Sequence, residues 1–360
     1  MERAERLMSY AKRVDSIVIV NGSEPFLDPA FWYVTEQRSG VFEGAMAIIS
    51  KDGTLDVITN SLEESTAREG KGNIHVCNTR RKLNSTIKKI LGPSKRIGMN
   101  TRSASYAAAE YIRKISSAKI TDISKTLRET TVVKDAKEIE AVRRACGISS
   151  ETADAIPGML SAGMTEREMA SEIDMMMCRK GGEGNAFDTI SAFGENSAKP
   201  HHTPSDRRLM DGDTALFDFG CRYGRYCSDL TRTVFFKEPD PMMKRAYEVV
   251  AEAKAAGTGM IMDGVRAKEV DLAARHVIEA SEFKGMFIHS FGHAVGMSVH
   301  DGLTVSHRSD DILKEGMIIT AEPGIYIPGL GGIRIEDTVL VKKDGCEPLT
   351  RFDQGLTVIR

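Results

Sequence analysis

The chain has 360 residues, 41% hydrophobic and 28% charged, with a formal net charge of −2. That length favours two domains, and the near-neutral charge gives no electrostatic reason to expect nucleic acid or an anionic membrane surface as partner. The charged N-terminus MERAERLMSYAKR has no apolar signal core, and runs such as Ile17–Val20 are too short to span a bilayer, so a cytoplasmic protein is expected.

The first third alternates short β-branched runs with amphipathic patterns. SIVIV (16–20), AMAIIS (45–50), LDVIT (55–59), IHVC (74–77) and RIGMN (96–100) read as strands. RKLNSTIKKIL (81–91) and SASYAAAEYIRKI (103–115) read as helices between them. The expectation is a small α/β domain over 1–128, followed by an α+β domain over 129–360. No GxGxxG or P-loop pattern occurs in the first domain, so nothing there suggests nucleotide binding.

A long helical pattern starts at Lys134, and TEREMASEIDMMMCRKG follows with Thr165 and Glu168 spaced as a capping box. The run Met175-Met176-Met177 reads as core packing on that helix. Strand-rich sequence from 186 to 233, helices over 240–257 and 267–282, and a second strand-rich block from 289 to 341 complete the chain. The six cysteines are scattered without a C-x-x-C pair and read as reduced thiols.

Two acidic hairpins stand out. In DFGCRYGRYCSDLTRT (218–233), a fold-back at Tyr223-Gly224 sets Asp218 directly opposite Asp229, with Cβ atoms about 5 Å apart, where like charges repel. In ITAEPGIYIPGLGGIRIED, Glu322 and Glu336 lie on apolar strand-like segments, and Arg334 shares the Glu336 face. Between the hairpins, HSFGHAVGMSVHD supplies His289, His293 and His300 on a stretch too rich in glycine and valine for a helix. A lone aspartate on a hairpin is ordinarily a solvated residue, and a lone histidine ordinarily a hydrogen-bonded one. Four carboxylates on apolar strands are different, because burying each unpaired costs several kcal/mol. Two divalent cations would cancel the four charges, and an oxygen-rich set with an imidazole suits Mn²⁺, Co²⁺ or Zn²⁺.

The set DFG…DLTRT, GHAVGMSVH, EPGIY and GIRIED resembles the pita-bread metallopeptidase family. That family includes methionine aminopeptidase, aminopeptidase P and Xaa-Pro dipeptidase (prolidase). The resemblance runs upstream through EGNAFDTISAFGENSAKPHH into a creatinase/prolidase-like N-terminal domain. It implies that Asp218 binds one of two metal ions, Asp229 and Glu336 bridge both, and His293 and Glu322 complete the second. It further implies that Glu322 takes and returns a proton, that His201 contacts the scissile region, and that His300 holds the developing oxyanion. His289 would line the pocket, and His202, without a counterpart, is structural. For Arg334 a salt bridge to Glu336 and a contact to substrate both stay open. The expected activity is hydrolysis of the Xaa-Pro bond in dipeptides by a homodimer, with a small peptide carrying proline second as its partner. Aminopeptidase P, acting on longer peptides, is the alternative. Methionine aminopeptidase is disfavoured by the N-terminal domain. Creatinase shares the fold without the ligands, and a non-catalytic binding module would lack ligands that are intact here.

Overall fold

Continuous apolar runs without alternation belong to strands covered on both faces, and the first third of the chain shows why. The computed structural model describes residues 2–23, 26–92, 94–351 and 355–360. Within Met1–Thr131, a compact unit, the strands are β1 (Ser16–Val20), β2 (Met46–Ser50), β3 (Leu55–Thr59), β4 (Asn73–Val76), β5 (Arg96–Met99) and β6 (Lys119–Asp122). They form one sheet in the order β4-β3-β2-β1-β5-β6. β1 runs antiparallel to β2 and parallel to β5, and all five of its residues are buried. The helix Arg80–Leu91 begins at Thr79, whose side chain accepts from Lys82 N–H, and turns Ile87 and Leu91 inward. They meet Val18, Ile48, Ile97 and Ile112, the last from the helix Tyr106–Ser116. The helix Pro29–Thr35 has no sequence-level periodicity because Ala30 to Thr35 are all buried. Its start is nevertheless written in Asp28, which caps Ala30 N–H, and in Pro29 at the first helical position.

The second unit, Val132–Arg360, opens with the helix Ala136–Met159. The helix Glu166–Arg179 follows and carries the Thr165/Glu168 capping box. Of the methionine run only Met177 reaches the core, while Met175 is exposed. Consecutive residues on a helix point about 100° apart, so the buried stripe is Met169, Ile173, Met177.

The strands of this unit are β7 (Ile190–Phe193), β8 (Thr214–Phe219), β9 (Arg222–Tyr223), β10 (Tyr226–Cys227), β11 (Leu230–Phe236), β12 (Gly292–His293) and β13 (Thr304–Val305). They continue as β14 (Ile318–Ala321), β15 (Gly324–Ile327), β16 (Gly331–Arg334), β17 (Asp337–Lys342), β18 (Gly345–Pro348) and β19 (Val358–Ile359). A four-stranded sheet has the order β19-β11-β8-β7 and a three-stranded one β14-β17-β18, with β12-β13 and β15-β16 as separate pairs. The helices Pro241–Thr258 and Ala267–Glu279 share one core with Ile319, Ile325, Ile333 and Ile335. The isoleucines flanking Arg334 thus face the core and leave Arg334 and Glu336 on the other side. All six cysteines are free. Among the described residues no helix is long and apolar enough to cross a membrane.

The first acidic hairpin corrects the expected register. Its turn is Gly224-Arg225, with φ of 55° and 71°, and Tyr223 pairs with Tyr226. A two-residue turn of this hand needs positive φ at both central positions, so glycine takes the first and the β-favouring tyrosine stays in the ladder. Asp218 consequently faces Thr231, two residues beyond Asp229. Because side chains alternate with period two, the carboxylates become diagonal neighbours on one face instead of direct opposites.

Candidate metal centre

Strand ends deliver the acidic groups. Asp218 lies near the end of β8, Asp229 just before β11, Glu322 between β14 and β15, and Glu336 between β16 and β17. The backbones pass so closely that two glycines are obligatory. A Cβ on Gly220 would meet the Ser228 carbonyl at 2.0 Å, and one on Gly292, beside His293, the Thr320 carbonyl at 2.1 Å.

Carboxylate oxygens of Asp218, Asp229 and Glu336 lie within 4.8 Å of one another. His293 Nε2 is 3.5 Å from Asp229 Oδ2 and 3.2 Å from Glu322 Oε1. Hydroxyl groups set the orientations. Thr231 Oγ1 donates to Glu336 Oε2 at 2.6 Å, and Thr320 Oγ1 donates to Glu322 Oε1 at 2.9 Å while accepting from His293 N–H. Arg334 Nη2 donates to Asp218 Oδ2 at 2.5 Å, its Nη1 to the Tyr326 hydroxyl and its Nε to Thr231 Oγ1. Its ion pair is therefore with Asp218, on the neighbouring sheet, and Glu336 is reached only through Thr231.

Charge is unbalanced here. Burial pushes Asp229 well above the usual carboxylate range, and the charges of Glu336 and Asp218 add to that. Burial does the same to Glu336, with Glu322 and Asp218 adding. Asp218 is raised by burial and restrained by Arg334. Glu322 goes the other way: burial opposes ionisation, but the hydrogen bond from His293 and its charge bring the carboxyl down to about 2. Among the described residues, Asp218 Oδ1 and Glu336 Oε1 are buried without a hydrogen-bond partner. Orphaned, crowded carboxylate oxygens beside one imidazole are a donor set that fits divalent cations.

All nine residues singled out from the sequence line one cavity of about 610 Å³. His201 is exposed on it, and His300 is open to solvent on one side while its ring packs against the cavity wall, 4.2 Å from that of His293. Burial and the positive charge of His293 lower the pKa of His300. His289 Nδ1–H donates to the Ser290 carbonyl, leaving Nε2 to accept the Tyr326 hydroxyl proton at 2.8 Å. His202 does not line the cavity; its Nε2 binds Glu166 at 2.8 Å. Sequence reasoning assigned no role to Tyr326, Thr231, Thr320 or Glu166. The signal for Tyr326 was its place in EPGIY, one alternate strand position after Gly324; Thr231 sits inside DLTRT.

The profile of the Creatinase/Prolidase N-terminal domain matches residues 1–131, and that of Metallopeptidase family M24 matches residues 140–343. The chain belongs to metallopeptidase family M24. This M24 peptidase is similar to the Xaa-Pro dipeptidase of Pyrococcus horikoshii, 34% identical over 358 residues that cover 99% of this chain and 98% of that one. The Xaa-Pro dipeptidase of Pyrococcus furiosus is 40% identical over 256 residues, 70% of this chain and 73% of that one. The crystal structure of an X-Pro aminopeptidase from Thermotoga maritima matches with a TM-score of 0.92 at 32% identity, covering 99% and 100% of the two chains. The prolidase structure from Pyrococcus horikoshii matches with a TM-score of 0.90 at 31% identity, covering 98% and 99%. The fold is thus a creatinase-type N-terminal domain followed by an M24 catalytic domain, and membership implies divalent metal ions as cofactor.

Proposed function

We propose that this M24 peptidase hydrolyses the Xaa-Pro bond of dipeptides, using two divalent ions, Mn²⁺, Co²⁺ or Zn²⁺, held by Asp218, Asp229, His293, Glu322 and Glu336. The observation that carries the chemistry is the buried carboxylate cluster with its two unpartnered oxygens on the wall of the cavity. The substrate class is supported by the relatives, two of which are Xaa-Pro dipeptidases. Bound divalent ions polarise a water molecule and the scissile carbonyl.

The chain's own groups do the rest. Glu322 takes the proton from the attacking water and returns it to the proline nitrogen. His300 donates to the developing oxyanion, and His201, on the open side of the cavity, meets the scissile segment. Arg334 and Thr231 orient Asp218 and Glu336, and the Tyr326 hydroxyl joins Arg334 to His289 at the cavity wall. Xaa-Pro is a tertiary amide with no N–H to offer, so its ring is recognised by shape against apolar lining such as Phe187, Ile190 and Val299.

The resemblance to the Thermotoga maritima X-Pro aminopeptidase supports a second reading, cleavage of longer Xaa-Pro-Yaa peptides. Assays of Xaa-Pro dipeptides against Xaa-Pro-Yaa tripeptides, with each metal added, separate the two. The proposal expects dipeptides to be cut faster. Tripeptides cut well with dipeptides untouched would replace it by the aminopeptidase reading.

A further inference from the structure

One carboxylate holds the segment that carries His201. Glu166, fully buried at the start of its helix, accepts from Phe193 N–H (2.8 Å), Asn196 Nδ2 (3.0 Å), His202 Nε2 (2.8 Å), Ser205 N–H (2.9 Å) and Ser205 Oγ (2.5 Å). Asn196, fixed by its amide nitrogen, turns its Oδ1 to the Lys199 ammonium at 2.8 Å. Lys199 is exposed and lines the same cavity as the carboxylate cluster.

Among the described residues, two permanent cations line that cavity, Lys199 and Arg334; the other basic groups there are imidazoles. Arg334 is committed to Asp218, Tyr326 and Thr231. Lys199 has, among the described residues, no carboxylate partner. An Xaa-Pro dipeptide carries its free carboxylate on the carbon next to the scissile nitrogen. That anion must therefore end inside the cavity, close to four acidic side chains. An anion there needs a cation that the acids have not already taken. In a longer peptide the same position is a neutral amide and makes no such demand.

We propose that Lys199, on a segment held by Asn196 and Glu166, receives the terminal carboxylate of the dipeptide and sets the preference for dipeptides over longer substrates. The inference rests on the Xaa-Pro reading above. A lysine suits this task because its ammonium is a compact point charge on a flexible stem and can follow the substrate.

The test compares Lys199→Met and Lys199→Arg with wild type, metal-loaded, on Met-Pro and on its C-terminal amide. The amide keeps the scissile bond and removes the charge. Wild type should favour the free acid. In Lys199→Met, KM for Met-Pro should rise about 10- to 100-fold, the loss expected for a charge-assisted hydrogen bond, with kcat nearly kept and the amide unaffected. Lys199→Arg should restore much of the loss, and binding of the product proline, read by isothermal titration, should weaken in parallel in Lys199→Met. Equal losses on acid and amide, or no loss on either, overturn the role of Lys199 while wild-type cleavage of Met-Pro leaves the activity standing. Wild type that cuts neither compound overturns the proposed function and this inference together.

Discussion

Replacing Asp229 by Asn separates what the acidic cluster does for function from what it costs the fold. Asp229 is 4% exposed and sits within 4.8 Å of the oxygens of Asp218 and Glu336. Its folded-state pKa is raised, by burial first and by Glu336, Asp218 and Glu322 after that. A carboxyl raised on folding contributes stability that is full below its unfolded pKa and is lost as pH rises through its folded pKa. In chelator, wild type should therefore melt higher near about pH 5 than near about pH 8. Asp229→Asn removes one charge with almost no change of shape. At neutral pH and without metal the variant should be as stable as wild type or more so, by about 2 kcal/mol at most, set against the several kcal/mol that an uncompensated buried charge costs. For a catalytic unit spanning Val132–Arg360, that corresponds to a rise of roughly 4–8 °C in Tm. With metal at about 100 times its Kd, each full-affinity site adds about 2.7 kcal/mol, which only wild type gains in full, so the order reverses. Differential scanning calorimetry of both proteins, with chelator and with metal, reads all four values. An apo variant melting far below apo wild type would make Asp229 an ordinary structural carboxylate and refute the argument.

Three further perturbations test separate parts. His300→Ala should lower kcat about 100-fold or more while metal content by mass spectrometry stays at the wild-type level; loss of metal would make His300 a ligand instead. Gly292→Ala forces a Cβ against the Thr320 carbonyl beside His293, and should cost about 1–3 kcal/mol in urea unfolding together with most metal affinity. Asp28, buried at the start of the helix Pro29–Thr35, has its pKa raised by burial to about 6 despite hydrogen bonds from Ala30 N–H and Asn100. Its contribution is present below about pH 4 and lost through about pH 6, a change of about 3 kcal/mol. Asp28→Asn should flatten the pH dependence of thermal stability in that window; an unchanged profile would show that Asp28 is not its source.

Elements that repeat locally were legible in the sequence. The five expected strands of the first unit and the Thr165/Glu168 start of the Glu166–Arg179 helix are encoded in β-branched runs and capping residues. The nine residues that the motifs marked line one cavity, but the same cavity also takes in residues the sequence did not mark, such as Lys199, Ile190 and Thr304. What was not legible depends on turn chemistry and on contacts distant in sequence. The shift of the hairpin turn from Tyr223-Gly224 to Gly224-Arg225 follows from an arginine accepting a positive φ, which no residue preference announces. The bond between Arg334 and Asp218 joins residues 116 positions apart, and alternation alone pointed Arg334 to its neighbour Glu336. Glu166 carries no mark in the sequence beyond its place in the first turn of a helix, yet it is the buried acceptor for a segment reaching Ser205.

The central claim is a peptidase whose two ions are held by four carboxylates and His293. Its most direct test strips the protein of metal and restores Mn²⁺, Co²⁺ or Zn²⁺ stepwise while following Xaa-Pro hydrolysis and bound metal together. The account predicts no turnover in chelator and a return of activity that levels off at two ions per chain. Full activity on dipeptides with no divalent ion bound would contradict it.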